Sequence, residues 1–317
     1  MSDVTWPSVS VVMPVRNEGL HLRDAVAAVL AQEYPGEFDV WVAVAPSVDD
    51  TSAILDELVA SDPRVHRVEN PAGVTPAGLN AAIRASTGEV VVRVDGHVTL
   101  PEGYITRAVE TMRRTGAVNV GGRQLAVGVS PFEVAVAAVM MSMVGSGGAT
   151  YRTGSEEGPV DTVFLGVFDR AAGDAVGWFD ESLIRNQDYE LNVRLRAAGG
   201  VVFFDPTLEV LYRPRPSLRA VARQYREYGM FKARVMRMHG DSIRLRQVVP
   251  PVMSLALLVS AVLGVWWRLA WLVPAAYLAA VGVLVRGLVG IRVRALVIAP
   301  AMHLSWSWGL LRGFMRR

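Results

Sequence analysis

Two places in the chain gather residue types that do chemistry. In "GEVVVRVDGHVTL", residues 88–100, an apolar run ends in Asp95-Gly96-His97; in "LIRNQDYELNVRLRAAGG", Asp188 and Glu190 head a helical pattern. Asp-Gly is a strong turn signal, and a turn accounts for the first stretch by itself. The other account is a metal site. Residues i and i+2 leaving a strand point to the same side, so a carboxylate and an imidazole converge. That oxygen and nitrogen pair suits manganese at least as well as magnesium, and an ion there would bridge diphosphate oxygens. Gly96 would let the backbone bend and a ligand approach closely. At the second place, acids near a helix N-terminus complement its dipole. That explains an acid, but not the whole polar cluster Arg185-Asn186-Gln187-Asp188, and an ionised Asp188 at a helix start is also placed to be a general base. Arg194 and Arg196 read as a solvated face.

The elements that must position these residues alternate. "SVSVVMPV", "FDVWVAVA", "RVHRVEN" and "EVVVRVD" read as strands, being β-branched and bounded by turn residues. "LHLRDAVAAVLAQ", "TSAILDELVA" and "PAGLNAAIRAS" carry apolar residues at helical spacing between them. Such alternation predicts an α/β fold with a mostly parallel, Rossmann-like sheet covered on both faces, whose ligands gather at the carboxyl ends of the strands.

The last third differs. The 317-residue chain is 51% hydrophobic, and residues 248–267, 269–288 and 295–311 form three apolar runs of roughly the length that crosses a bilayer core. Tryptophans near their ends fit an interfacial belt; buried core helices are the alternative. The basic stretch before them favours an anionic cytoplasmic leaflet, which puts the α/β part in the cytoplasm on a multi-pass inner membrane protein. Three spans would export Arg316 and Arg317 against the positive-inside tendency, so the third run also reads as re-entrant or interfacial. The domains expected are 1–216, catalytic; 217–247, basic and amphipathic; and 248–317, membrane. Residues 130–152 are apolar but too short to span, and read equally as a core helix or as a helix in the headgroup region. A net charge of +2 does not point to nucleic acid, and the lack of cysteine removes disulfides and thiolate metal sites.

Neither a phosphate-binding G-x-x-x-x-G-K-[ST] loop nor a complete dinucleotide fingerprint occurs, and no G-x-S-x-G or H-E-x-x-H motif is present. Instead "VSVVMPVRNEG", "SVDDTSAIL", "NPAGVTPAGLNAAI", "GEVVVRVDGH", "FDESLIRNQDYELNVRLRAAGG" and "QYREYG" together resemble family 2 glycosyltransferases of the GT-A fold, most of all the ExoA-like group that builds bacterial exopolysaccharide on a lipid carrier. The resemblance implies that Pro14, Val15, Arg16, Asn17, Glu18 and Asp49 line a nucleotide-sugar pocket flanked by Asn80. It implies that Asp95, touching the donor, and His97 hold Mn²⁺ or Mg²⁺, and that Asp188 is the base. Gln187, Gln224, Tyr225, Arg226 and Tyr228, with Gly147 and Gly148, would cover the site or meet the acceptor. The expected reaction moves a sugar with inversion from a nucleoside diphosphate sugar, a UDP-sugar, to a hydroxyl of a polyprenyl-linked or other lipid-linked saccharide. A polyprenyl-phosphate sugar synthase and a non-catalytic membrane scaffold of the same fold are the alternatives. The chain departs from the family pattern at Ala45-Pro46, where an aspartate is usual, and at His97, which replaces a second carboxylate.

Overall fold

The computed structural model describes residues 5–287 and 290–315. Two compact units emerge, one holding the residues up to Gln124 together with Gly154–Leu211, the other Leu125–Thr153 with Tyr212 onward.

The first unit is built on an eight-stranded sheet: β1 (Val9–Val15), β2 (Phe38–Val44), β3 (Val65–Glu69), β4 (Val90–Arg93), β5 (Asn119–Ala126), β6 (Gly158–Pro159), β7 (Phe164–Asp169) and β8 (Val202–Tyr212), in the order β3-β2-β1-β4-β7-β5-β8-β6. Each of the four strands expected from the sequence is present, and β1 to β4 pair in parallel. Beyond them β4 with β7, β7 with β5 and β6 with β8 run antiparallel. Central parallel strands are buried on both faces, so they read as continuous valine runs rather than as alternations: Val11 and Val92, and Val42 beside them, are fully buried. Helices Leu22–Leu30, Thr51–Ser61 and Thr75–Ala85 provide the crossovers between the first four strands. The register sets Val15 beside Val44 and Val12 beside Arg93, which brings the segments following β1, β2 and β4 to one edge of the sheet.

The second unit is helical. Residues 130–152, one of the ambiguous stretches, hold the helix Pro131–Met140, whose Ala135, Val136, Val139 and Met140 pack with Ala295, Ile298, Ala299 and Met302 in a common core. This stretch is a core helix, and it belongs with the C-terminal helices rather than with the sheet. Its start is a capping box. Glu133 N–H donates to Ser130 Oγ (3.2 Å), Ser130 N–H donates to Glu133 Oε2 (2.7 Å), and Arg213 Nε donates to Glu133 Oε1 (3.0 Å). The Ser130 backbone bond first and then Arg213, against the opposing effect of burial, hold the Glu133 carboxyl down from 4.5 to about 2. A depressed carboxyl pKa stabilises the fold fully above the unfolded-state value and loses that contribution as pH falls through the folded one. The stability added by Glu133 should therefore fade between about 4.5 and about 2. In thermal melts across that window the difference between wild type and Glu133→Gln should shrink as the pH drops. A constant difference would remove Glu133 from the acid response.

The three apolar runs resolve differently from their reading in sequence. Among the described residues one helix, Leu245–Leu263, is long and apolar enough to cross a membrane, and very little of it is buried. The second run gives the shorter segment Arg268–Leu284, and its expected end at Leu288 lies outside the described residues. The third lies in the helix Arg292–Met315, which carries charge at Arg292, Arg294 and Arg312 and packs along the helix Leu218–Met238. A Cβ at Gly229 would fall 2.0 Å from Trp306 O, and one at Gly309 would fall 2.0 Å from Arg226 O, so backbones meet there as only glycine allows. One of the three expected spans thus meets the length and hydropathy of a membrane-crossing helix among the described residues. Arg316 and Arg317, on which the export conflict turned, lie outside them.

Candidate functional site

At the sheet edge the loop after β1 is tied to the loop after β2. Asn17, with φ of 55°, is a non-glycine residue in the left-handed region. Its N–H donates to Ser47 Oγ (3.1 Å) and its Oδ1 accepts from Val48 N–H (2.9 Å). Glu18 N–H donates to Thr51 Oγ1 (2.8 Å), and Gly19 N–H donates to Asp49 Oδ2 (3.0 Å). The Thr51 hydroxyl first, then Gly19 N–H, hold the Asp49 carboxyl below the ordinary aspartate range. Arg16 reaches across to Gly73 O (3.2 Å). These bonds fix a polar rim in which Asn17 and Asp49 act as staples between loops.

The end of β4 answers the question its sequence poses. Asp95-Gly96-His97 is a turn, closed by Val98 N–H on Asp95 O (2.9 Å). A Cβ at Gly96 would lie 2.6 Å from Val15 Cγ1, so the glycine serves close packing on the end of β1. The side chains at this turn are not idle. His97 Nδ1 is 2.9 Å from Glu18 Oε1. Asp95 Oδ1 accepts from Arg93 Nη2 (2.9 Å) and Nε (3.2 Å), and Arg93 Nη1 donates to Asp188 Oδ1.

Arg93 is the residue that reading the sequence missed. It is 5% exposed at the end of a strand that is otherwise all valine. Burial disfavours its charge, but Asp188 and Asp95 reverse this, and the guanidinium is held above the ordinary arginine range. For Asp95, burial works to raise the pKa; the charges of Arg93, His97 and Arg185 and the Arg93 bond outweigh it, so the carboxyl titrates below the usual range. One cation thus joins the acid after β4 to the acid heading the helix Gln187–Ala197, with Gln187 buried at that helix's first position.

Other expected residues have hydrogen-bond partners of their own. Asn80 is buried, its amide donating to Phe179 O (2.8 Å) and Glu181 Oε1 (2.9 Å) and accepting from Phe179 N–H (3.1 Å), so it anchors the loop that leads toward Asp188. Glu190 is buried and grips Arg194 at 2.7 Å through both oxygens. Arg194 also caps Trp178 O, which makes it a structural brace rather than part of a solvated face. Gly147, Gly148, Gln224, Tyr225, Arg226 and Tyr228 belong to the second unit. There Gln224 Nε2 donates to Tyr212 Oη (2.7 Å) and Tyr228 Oη (2.9 Å), and Arg152 Nη1 donates to Tyr225 Oη (3.3 Å). Gly147 and Gly148 adopt positive φ after the short helix Met143–Ser146.

The profile of glycosyl transferase family 2 matches residues 10–180, which include the three strand ends and the Arg93 cluster up to the loop before Asp188. The chain belongs to glycosyl transferase family 2. The succinoglycan biosynthesis protein ExoA of Rhizobium meliloti is 31% identical over 340 aligned positions, covering 99% of this chain and 98% of that protein. A glycosyltransferase of Methanococcus voltae, named for transfer of a diacetamido-dideoxy-glucuronosyl group to dolichyl N-acetylglucosaminyl phosphate, is 23% identical over 72% of this chain and 74% of its own. The mannosyltransferase PcManGT of Pyrobaculum calidifontis, solved with GDP-Man and Mn²⁺, shares the fold. Its TM-score is 0.70 at 18% identity, over 97% of this chain and 88% of that one.

Proposed function

We propose that this family 2 glycosyltransferase is an inverting enzyme that moves a sugar from a nucleoside diphosphate sugar, a UDP-sugar, to a hydroxyl of a lipid-linked saccharide during exopolysaccharide or other cell-envelope glycan synthesis. The observation that carries this is the Arg93 tie, which sets Asp95 and Asp188 on one guanidinium at the sheet edge. Asp188 contacts Arg93 through Oδ1, and Oδ2 is the oxygen that would take the proton of the acceptor hydroxyl as that oxygen attacks the anomeric carbon. The bond to the nucleoside diphosphate breaks on the opposite face, which inverts the configuration. The loops after β1 and β2 would hold the nucleotide.

Asp95 and His97 suit a divalent ion, since a ligating histidine commonly has its other ring nitrogen held by a carboxylate, as Glu18 holds Nδ1. Among the described residues no three His, Asp or Glu side chains form a closed cage, so diphosphate oxygens and water would complete the shell, the usual mode for Mg²⁺ and its mimics. Mn²⁺ or Mg²⁺ so bound would offset charge on the departing diphosphate. The exposed apolar helix Leu245–Leu263, preceded by the basic stretch 217–247, supports attachment to the inner membrane with the sheet unit in the cytoplasm.

Product analysis with labelled UDP-sugars and membrane lipids tests the reading. An extended lipid-linked saccharide supports it; a single sugar on a lipid monophosphate means the synthase alternative, and donor turnover by no nucleotide sugar means a scaffold. Asp95→Ala should weaken donor binding only when metal is present, and His97→Asp should keep activity while shifting preference toward Mg²⁺, the harder ion. Wild-type turnover that survives exhaustive chelation would contradict both.

A further inference from the structure

On the helix Leu218–Met238, Arg219, Arg223 and Arg226 fall at i, i+4 and i+7, on one face. Leu304, Ser305 and Trp308 of the helix Arg292–Met315 stand opposite, and between them lies a cavity of about 600 Å³. Its walls are held by the backbone contacts at Gly229 and Gly309 already described. The three arginines are exposed, and none has an acidic partner among the described residues. Like charges at helical spacing repel, so such a row calls for an anion, and guanidinium forks favour phosphate above other anions.

The opposite wall specifies more. Leu304, Trp308, Leu311 and Met315 follow one another at i, i+4, i+7 and i+11, and each is close to half exposed or more. They make an apolar stripe that begins at the cavity and runs away from it along a single helix. A ligand matching both features has a compact multiply charged head and one long hydrocarbon chain. We propose that this cavity binds the diphosphate head of a single-chain prenyl lipid, its chain lying along the stripe from Leu304 to Met315. This deepens the acceptor side of the proposed function and takes its biological sense from that reading, although binding can be measured without transfer.

The test uses the full chain in detergent, with farnesyl diphosphate, farnesol, inorganic diphosphate and UDP as probes in calorimetric titrations. Farnesyl diphosphate should bind one to one, more tightly than inorganic diphosphate, and farnesol only weakly. Changing Arg219, Arg223 and Arg226 together to Gln should weaken farnesyl diphosphate on the order of tenfold per arginine. Removing mutually repelling, unpaired charges should leave the melting temperature unchanged or raised, which separates lost binding from lost fold. Trp308→Ala should weaken farnesyl diphosphate and leave inorganic diphosphate as it was. Wild-type affinity in the triple variant would overturn the site. Inorganic diphosphate binding as tightly as the prenyl form, with no effect of Trp308→Ala, would overturn the lipid assignment, as would UDP displacing the prenyl probe in a Trp308-dependent manner. If the triple variant binds and transfers as wild type does, the cavity is excluded while the enzyme reading stands. Prenyl binding through these residues in a protein that transfers no sugar would sink the enzyme reading and keep the cavity.

Discussion

Replacing Asp188 by Asn is expected to cut sugar transfer by about 10²- to 10⁴-fold, on the order of 3 to 5 kcal/mol in the barrier, while the donor Kd moves by less than about threefold. The substitution is chosen for what it keeps. Oδ1 of Asp188 accepts from Arg93 Nη1, and an asparagine can present its carbonyl oxygen to the same donor, so the helix start and the Arg93 tie survive. What it places at the other position is an amide NH₂, which cannot take a proton from a hydroxyl. Asp188→Ala would be a poorer test, because it also leaves Arg93 with Asp95 as its remaining acid and mixes stability with chemistry. Single-turnover transfer and equilibrium donor binding on the same preparation separate the two. Turnover within a few-fold of wild type would mean that the proton leaves by another route, as it would if the acceptor were a lipid phosphate.

Much of this arrangement was legible before any coordinates, and what escaped did so for identifiable reasons. Strands β1 to β4 stand out because a parallel strand buried on both faces must be apolar throughout, and the helices between them because their buried faces repeat at 3.6 residues. The antiparallel half is harder to see: β6 has two residues, and β8 contains Asp205 and Pro206, which break its pattern. The membership of residues 125–153 in the helical unit depends on contacts more than 150 positions away, such as His303 Nε2 with Val144 O, and no local pattern encodes those. In the site, the i and i+2 argument that pairs Asp95 with His97 extends back to Arg93, which lies on the same side of the strand. A lone arginine inside "EVVVRVD" is itself a signal, since a charge in a buried strand needs partners. Asp188 was visible as an acid in a polar cluster, but its link to Arg93 spans 95 positions and exists only in the fold. Asn80, which the resemblance sets beside the nucleotide pocket, makes hydrogen bonds to the loop at Phe179 and Glu181 that span about a hundred positions and exist only in the fold.

Arg93→Met should then have the largest effect on stability, a loss of about 3 kcal/mol, near the lower end for breaking a buried ion pair because the Asp95 and Asp188 carboxylates still reach solvent. Methionine fills much of the volume but leaves two acids facing one another without the cation between them. The consequence that identifies the tie is the order of effects in combination. Asp188→Asn alone should cost little stability. Placed on Arg93→Met it should restore some, since it removes one of two unneutralised charges, giving a coupling of about 0.5 to 3 kcal/mol between the positions. Arg93→Lys should fall between the two, because an ammonium keeps the charge but cannot span both carboxylates as the planar fork does. Its fold should persist while transfer drops, Asp188 having lost its fixed position relative to Asp95. Denaturant unfolding of the four members of the Arg93 and Asp188 cycle, with transfer measured on each, decides the matter. Strictly additive stability costs would show that Arg93 and Asp188 do not act as a unit, and Arg93 would then be a core residue of the sheet rather than the part that holds acid and base in register.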